Sequence, residues 1–149
     1  MERHTEKISV QGFFEARIFR NGKLIEEYRE RNLITDIAKV TMSKLLAGET
    51  SGNSVSKIAF GTSNVAADPT DLEITNQWAK SINGFTYPEE GTVQFDWDLL
   101  VTENNGMSIC EFGLLTAGGI LIARRTRQNP IPKESDISIE GTWAIKYFY

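Results

Sequence analysis

Cysteine and histidine are nearly absent, with one of each in 149 residues. A structural zinc site is closed by several Cys or His ligands, so one chain of this composition cannot build it. A lone cysteine also rules out an intramolecular disulfide. Any Ser–His or Cys–His nucleophile would have to recruit His4, in a polar segment at the start of the sequence. Basic charge is not in excess: 16 Lys and Arg stand against 20 Asp and Glu, for a net charge of -4. Affinity for nucleic acid comes mainly from neutralising phosphates, so general nucleic-acid binding is not expected. No apolar run approaches the roughly 20 residues of a membrane-spanning helix. Residues 1–7 are polar and no apolar stretch follows them, so a secretory signal is not expected. Synthesis and retention in a cytoplasm are expected instead, in keeping with a single free cysteine. Neither a cofactor, a metal, a small-molecule substrate nor an enzymatic activity is predicted. At 40% hydrophobic and 24% charged residues, the chain is not of the disordered or collagen-like kind, and its length suits a single domain over 1–149.

What is present is alternation. Residues 1–9 read as a flexible polar arm. Two apolar-rich runs, residues 12–19 and 24–28, flank Asn21-Gly22, a strong hairpin signal because both central residues of such a turn need positive φ. A two-residue loop pairs Phe19 with Leu24, Ile18 with Ile25 and Arg17 with Glu26. The hairpin, residues 10–31, then has one face of Phe14, Ala16, Ile18 and Ile25 and another of Phe13, Phe19, Leu24 and Tyr28. Both faces are partly apolar, so both are expected to be covered. Residues 34–48 hold the one convincing helix: Ile34, Ala38, Thr41 and Leu45 recur at helical spacing. Thr35 suits the N-cap, Asp36 the positive helix start and Gly48 the stop.

Strand patterns fill the rest. Residues 55–61 form one, and residues 78–87 a weaker one broken at Asn83-Gly84. Val93, Phe95, Trp97 and Leu99 alternate with Gln94, Asp96 and Asp98, as on a half-buried strand. Glu103-Asn104-Asn105-Gly106 predicts a hairpin turn into a strand over 107–115, and Ala117-Gly118-Gly119 a second turn into 120–124. Residues 129–133 read as an extended linker, because a residue before proline is pushed out of the helical region. Ile137, Ile139, Trp143, Ile145, Tyr147 and Tyr149 mark the last strand. About seven or eight strands, with turn signals roughly every ten residues, predict a mainly β fold: an antiparallel β-sandwich with one α-helix packed on it. Helix and sandwich together would occupy residues 32–149.

Candidate chemistry is thin. Asp96 and Asp98 share a strand face and could flank a glycosidic bond or hold a hard cation, but the wet face of any half-buried strand looks the same. Asp68-Pro69-Thr70-Asp71 lacks the long oxygen-rich loop of a calcium site and reads as a turn. Gly61-Thr62-Ser63-Asn64 follows a strand, yet it lacks the further glycines and the lysine of a phosphate loop. Arg124-Arg125-Thr126-Arg127 would put Arg125 and Arg127 on one strand face and Arg124 on the other, as a solvated edge or an interface. Glu111, amid apolar neighbours, is either wet or paired when buried, and Arg124 or a backbone N–H turn is its expected partner. Cys110 is expected to be a small buried apolar residue.

Several segments, taken in order, look familiar. They are Asn32-Leu33-Ile34-Thr35, Leu45-Leu46-Ala47-Gly48, Ile58-Ala59-Phe60-Gly61-Thr62, the Pro69-Thr70-Asp71-Leu72 turn, Asn105-Gly106, Ile109-Cys110-Glu111-Phe112-Gly113-Leu114, Leu121-Ile122-Ala123-Arg124, Ile131-Pro132-Lys133 and Trp143-Ala144-Ile145. The ordered set resembles a group of small virion proteins of tailed bacteriophages and prophages, with related segments in tail-fibre and collar-type proteins. The likeness covers residues 32–147 and leaves out the hairpin. It implies a non-enzymatic structural subunit of the tail, baseplate, collar or fibre-attachment region, assembled in the host cytoplasm as a homo-oligomer with other virion proteins. It implies neither nucleic acid nor a membrane as partner. Capsid decoration on the phage head is the alternative. A carbohydrate-binding module, with Trp78, Phe85 and Tyr87 stacking on sugars, is another.

Under that reading the interface residues are Phe13, Phe19 and Tyr28 from the second hairpin face and the aromatic end Trp143, Tyr147, Phe148 and Tyr149, since aromatic residues are enriched at interfaces. Asn21, Gly22, Asn105 and Gly106 would shape turns. Gly113 would allow a bend or a close backbone approach, and Glu111 would anchor a neighbouring loop or the Lys133 region.

Overall fold

Strands with one apolar face must bury it, and here two sheets bury theirs against each other. The computed structural model describes residues 8–148, so the expectations for His4, Tyr149 and most of the N-terminal arm lie outside the described residues. Nine strands and one helix follow in order: β1 (Ser9–Arg20), β2 (Lys23–Asn32), α1 (Asp36–Leu46), β3 (Val55–Gly61), β4 (Trp78–Ser81), β5 (Gly84–Thr86), β6 (Thr92–Leu99), β7 (Ser108–Thr116), β8 (Leu121–Pro132) and β9 (Ile137–Phe148). One antiparallel sheet has the order β2-β1-β9-β6-β5, the other β4-β3-β7-β8. The fold is the β-sandwich with a single helix that the alternation predicts. Aromatic rings from both sheets meet at its centre: Phe14 lies 4.6 Å from Phe112, 4.9 Å from Trp143 and 5.6 Å from Trp97, centroid to centroid.

The hairpin is part of the larger sheet, because β1 pairs with β9 along its whole length. Asn21 and Gly22 make the turn with φ of 49° and 76°. Beyond it the ladder slips: Phe19 faces Leu24, but Ile18 faces Glu26 and Ala16 faces Tyr28. Ile25 is the extra residue of a β-bulge, and a one-residue slip sends every later side chain to the opposite face. Tyr28 therefore points inward, 5.8 Å from the Phe14 ring, while Ile25 is exposed. Both faces were expected to be covered, yet among the described residues no element lies over the outer one. Phe13 and Phe19 are half-buried there, Phe13 between Phe148 at 6.2 Å and the Arg31 guanidinium at 5.6 Å.

Three further expectations are corrected. β6 and β7 belong to different sheets, so the segment with Asn105-Gly106 crosses the sandwich instead of closing a hairpin. Its positive φ angles fall at Asn104 and Gly106. Trp143 is an interior residue, not an interface one: β9 is the middle strand of its sheet, and the buried indole donates to Asn32 Oδ1 at 3.1 Å. Residues 129–132, expected to link strands, continue β8. Ile109 faces Ile131 and Glu111 faces Thr126, so residues 127–130 bulge out opposite Cys110 alone. Prolines fit such an irregular edge strand, where the ladder needs no donor from them.

Helix α1 closes the end of the sandwich at which β3, β6 and β8 begin and β9 finishes, with Ala38 in the core. Thr35 caps it: its Oγ1 accepts from the Ala38 N–H at 3.2 Å and donates to the Leu121 carbonyl at 2.7 Å, so one side chain starts the helix and ties it to β8.

Gly141 faces Trp97 across the β6–β9 ladder. A Cβ there would overlap the Trp97 ring and the Glu15 carbonyl. Gly141→Ala is expected to lower stability by about 1–3 kcal/mol, read as a lower urea midpoint at unchanged slope. An unchanged midpoint would refute this seating of Trp97.

Candidate functional site

Glu111 sits fully buried on the outward side of β7, beneath residues 62–77. Its Oε1 accepts from the N–H groups of Ser63 at 3.2 Å and Thr75 at 3.0 Å, and its Oε2 from Arg124 Nε at 2.7 Å. Arg124 in turn donates from Nη1 to Asp71 Oδ2 at 2.9 Å. Both partners named from sequence, the arginine and the backbone turn, are thus present together. The network straps residues 62–77 across the outer face of the smaller sheet, where Ile74 packs with Ala59, Leu115 and Leu121. A Cβ at Gly113 or Gly61 would overlap Ile74: Gly113 is a point of close approach. The Asp68–Asp71 segment is a turn, with Asp68 Oδ1 accepting from Thr70 N–H at 2.9 Å and its hydroxyl at 2.6 Å. Those bonds hold the Asp68 carboxyl below its ordinary range.

Lys133 is buried as well, the third charge after Glu111 and Arg124. Its Nζ donates to Asn105 Oδ1 at 2.7 Å, to the Glu134 carbonyl at 3.2 Å and to the Val101 carbonyl at 3.4 Å. Gly106 N–H returns to the Lys133 carbonyl at 2.8 Å. Burial pushes the ammonium pKa down, and Glu103, Glu134 and Asp136 offset this only in part. Its three donors meet three acceptors, and together they hold the β6–β7 crossing.

Asp96 and Asp98 are not a paired acid and base. Lys80 Nζ bridges Asp98 and Glu103, each at 2.6 Å, and Asn83 adds a bond to Asp98 at 3.1 Å, while Asp96 accepts from Gln94 at 3.3 Å. Among the described residues no cluster of His, Cys, Asp and Glu is placed to hold a metal ion. Cys110 is buried in β7.

Two concave surfaces lie on the flanks of the sandwich, besides two of about 320 Å3 over the outer face at Phe13 and beside α1 at Val40 and Leu72. The larger flank surface, about 630 Å3, runs between the edge strands β2 and β8 and is lined by Tyr28, Arg124, Arg125 and Arg127 and by the strand end at Arg31, whose carbonyl accepts from Arg125. The other, about 260 Å3, is apolar and lies between α1 and the β5 edge, with Met42, Leu45, Phe85, Tyr87 and Tyr147 around it. Phe85 and Tyr87 are 58% and 74% exposed, and their rings stand 5.8 Å apart. The aromatic residues expected at an interface are dispersed: Phe13 and Phe19 on the outer sheet face, Tyr28 in the β2–β8 seam, Tyr147 in the apolar groove with its hydroxyl 3.5 Å from Met42 Sδ, and Trp143 in the core. The sequence singles out Phe85 and Tyr87 only for sugar stacking, and it marks Lys133 only as the end of Ile131-Pro132-Lys133 and as a region for Glu111 to anchor, with no signal that its charge is buried. Compared with protein-family models, curated proteins and solved structures, the chain matches none.

Removing one partner of a buried pair leaves a charge uncompensated. Glu111→Ala is expected to cost about 3–5 kcal/mol and to open residues 62–77 to proteolysis; a strap that stays protected would contradict the anchoring role. Lys80 gives a pH test. Burial lowers its pKa, but the bonds and charges of Asp98 and Glu103 outweigh that and raise it above 10.5. For Asp98, burial raises the pKa, but Lys80 and Asn83 outweigh that and hold it below 3.8. The Asp98 contribution is lost as pH falls through its lowered value, and the Lys80 contribution as pH rises past 10.5. Lys80→Met is therefore expected to be least stable relative to wild type between those limits, with the gap closing at both ends of a urea-midpoint profile. A gap independent of pH would refute the pairing.

Proposed function

We propose that the chain is a non-enzymatic structural subunit of a tailed-bacteriophage particle, working through protein–protein interfaces in the tail, baseplate, collar or fibre-attachment region. The observation that carries this reading is how the charged and aromatic side chains are divided. The buried charges Glu111, Arg124 and Lys133 are bonded to loops that they hold in place. The exposed aromatics Phe85 and Tyr87 stand beside an apolar groove, and the arginines line the opposite flank. A rigid scaffold with anchored loops and contact surfaces on its flanks suits assembly by interface area and symmetry. The ordered motifs over residues 32–147 lend this reading its particle. Its partners are copies of itself and other virion proteins, its location the virion, and its place of assembly the host cytoplasm.

A carbohydrate-binding reading is favoured by one observation, the exposed Phe85–Tyr87 pair; Trp78 instead rests half-buried against Phe60 at 6.1 Å. Immunolabelling of particles from cells that produce the chain tests the main reading. Label at the tail or its attachment region is expected, label on the head would transfer the subunit to decoration, and unlabelled particles would sink both. Tyr87→Ala is expected to lower incorporation while stability stays within about 0.5 kcal/mol. Glycan binding abolished by the same substitution would favour the carbohydrate reading.

A further inference from the structure

Asn105 and Lys133 flank the open end of the β7–β8 hairpin, where Ser108 faces Pro132. Backbone bonds carry that ladder past its last pair. Lys133 N–H donates to the Met107 carbonyl at 2.9 Å, and Gly106 N–H to the Lys133 carbonyl at 2.8 Å. The two residues are thus fixed against each other through the main chain. Lys133 is wholly buried, yet its ammonium bonds only to neutral oxygens. Burial without a counter-ion favours the uncharged amine, in keeping with the lowered pKa.

Loss of one proton from Nζ sorts its three partners. An ammonium has three N–H groups and no lone pair; the amine has two N–H groups and one lone pair. The main-chain carbonyls of Glu134 and Val101, at 3.2 and 3.4 Å, can only accept, so they keep the two N–H groups. The lone pair is left toward the Asn105 amide, whose Oδ1 lies 2.7 Å from Nζ. With a carbonyl bond of about 1.23 Å, that contact places Asn105 Cγ between about 3.0 Å, for a right angle at the oxygen, and about 3.9 Å, for a straight line. The interval includes the separation of about 3–3.5 Å at which bound groups react. Of the three partners, only this side-chain amide can be exchanged without cutting the chain. The rival nucleophile for its carbon is the Gly106 nitrogen, and that N–H is engaged on the Lys133 carbonyl. Glu103, in the same loop, is the carboxylate whose charge acts most strongly on Lys133. Its Oε1 accepts from Lys80 and the Leu100 N–H, which leaves Oε2 to take a proton.

We propose that Lys133 and Asn105 become joined by an isopeptide bond that the folded chain makes unaided. The Lys133 ammonium gives one proton to Glu103, and the resulting amine attacks Asn105 Cγ. The Nζ–Cγ bond forms and the Cγ–Nδ2 bond breaks. Nδ2 leaves as ammonia with a second proton from Nζ, and the proton on Glu103 follows to solvent. No oxidant, reductant or second substrate enters. Asn105 is exposed, so the ammonia departs directly into water. The bond closes the open end of the hairpin and pins the β6–β7 crossing to the end of β8. It goes beyond the assembly reading and does not depend on it.

Intact-mass measurement of the full chain, purified folded and then denatured, tests this. Wild type is expected to weigh one ammonia less than its sequence. A tryptic digest is expected to contain residues 81–124 joined to residues 128–146, uncut after Lys133. Lys133→Met and Asn105→Ala are each expected to show the full mass. Glu103→Gln, with a native near-ultraviolet circular dichroism spectrum, is expected to lose ammonia about a hundredfold more slowly or less; a rate equal to wild type would remove Glu103 from the proton path. A wild type that keeps its full mass after prolonged incubation in the folded state overturns the bond. So does a deficit that persists in Lys133→Met, because the Gly106 nitrogen is then the nucleophile. The wild-type mass and the linked peptide decide the matter even if a variant fails to fold.

Discussion

A single carboxylate, Glu111, organises the outer layer of the smaller sheet. The cost of burying its charge is offset by three donors, two from backbone and one from Arg124, so the ion is stable only if residues 62–77 lie where they do. The dependence runs in both directions. Without Glu111 the strap has no fixed partner on the sheet, and without the strap Glu111 would be a charge on an apolar surface. Asp71 extends the network outward, and the Pro69 carbonyl accepts from Asp36 N–H at the start of α1 at 2.8 Å. One buried pair is thereby linked to the sheet, the strap and the helix start.

Lys133 applies the same device to the far end of the sandwich, with neutral acceptors in place of a counter-ion. The two sheets need a crossing where the chain leaves β6 for β7, and a crossing exposes backbone carbonyls that no ladder satisfies. An ammonium with three donors collects one of those carbonyls, at Val101, together with the Asn105 side-chain oxygen and the carbonyl of its own neighbour Glu134. Both buried cations therefore serve the connections between strands, while ring packing across the interior holds the sheets together.

Much of the fold was legible because it follows from period. The alternation at Val93, Phe95, Trp97 and Leu99, the capped stripe from Thr35, and the positive-φ turn at Asn21-Gly22 each express a local rule. Glu111 was legible for a related reason: a charge in an apolar strand demands a partner, and Arg124 was in reach. The errors all concern what local rules do not see. The bulge at Ile25 reversed the face of Tyr28 because the decision lay in burying a tyrosine under the opposite sheet's edge. Asn105-Gly106 resembles a hairpin turn locally, but sheet membership is a long-range property. Trp143 was read as a contact residue because aromatic enrichment does not distinguish an interface from a core, and only the central position of β9 decides. The two grooves were not legible at all, since each is formed by elements distant in sequence.

The middle of the larger sheet is occupied by β9, the last element described, and its longest ladder joins β9 to β1, the first. A ribosome delivers β1 long before β9. Until residues 137–148 emerge, β1 and β6 have no neighbour between them, and their apolar faces stay open. Pairings so distant in sequence carry a high loop-closure cost and slow folding. The smaller sheet, whose strands lie between residues 55 and 132, is complete earlier and can be the surface on which the larger one condenses. The nascent chain thus passes through a half-sandwich with an uncovered aromatic face, the stage at which association with a wrong neighbour is easiest.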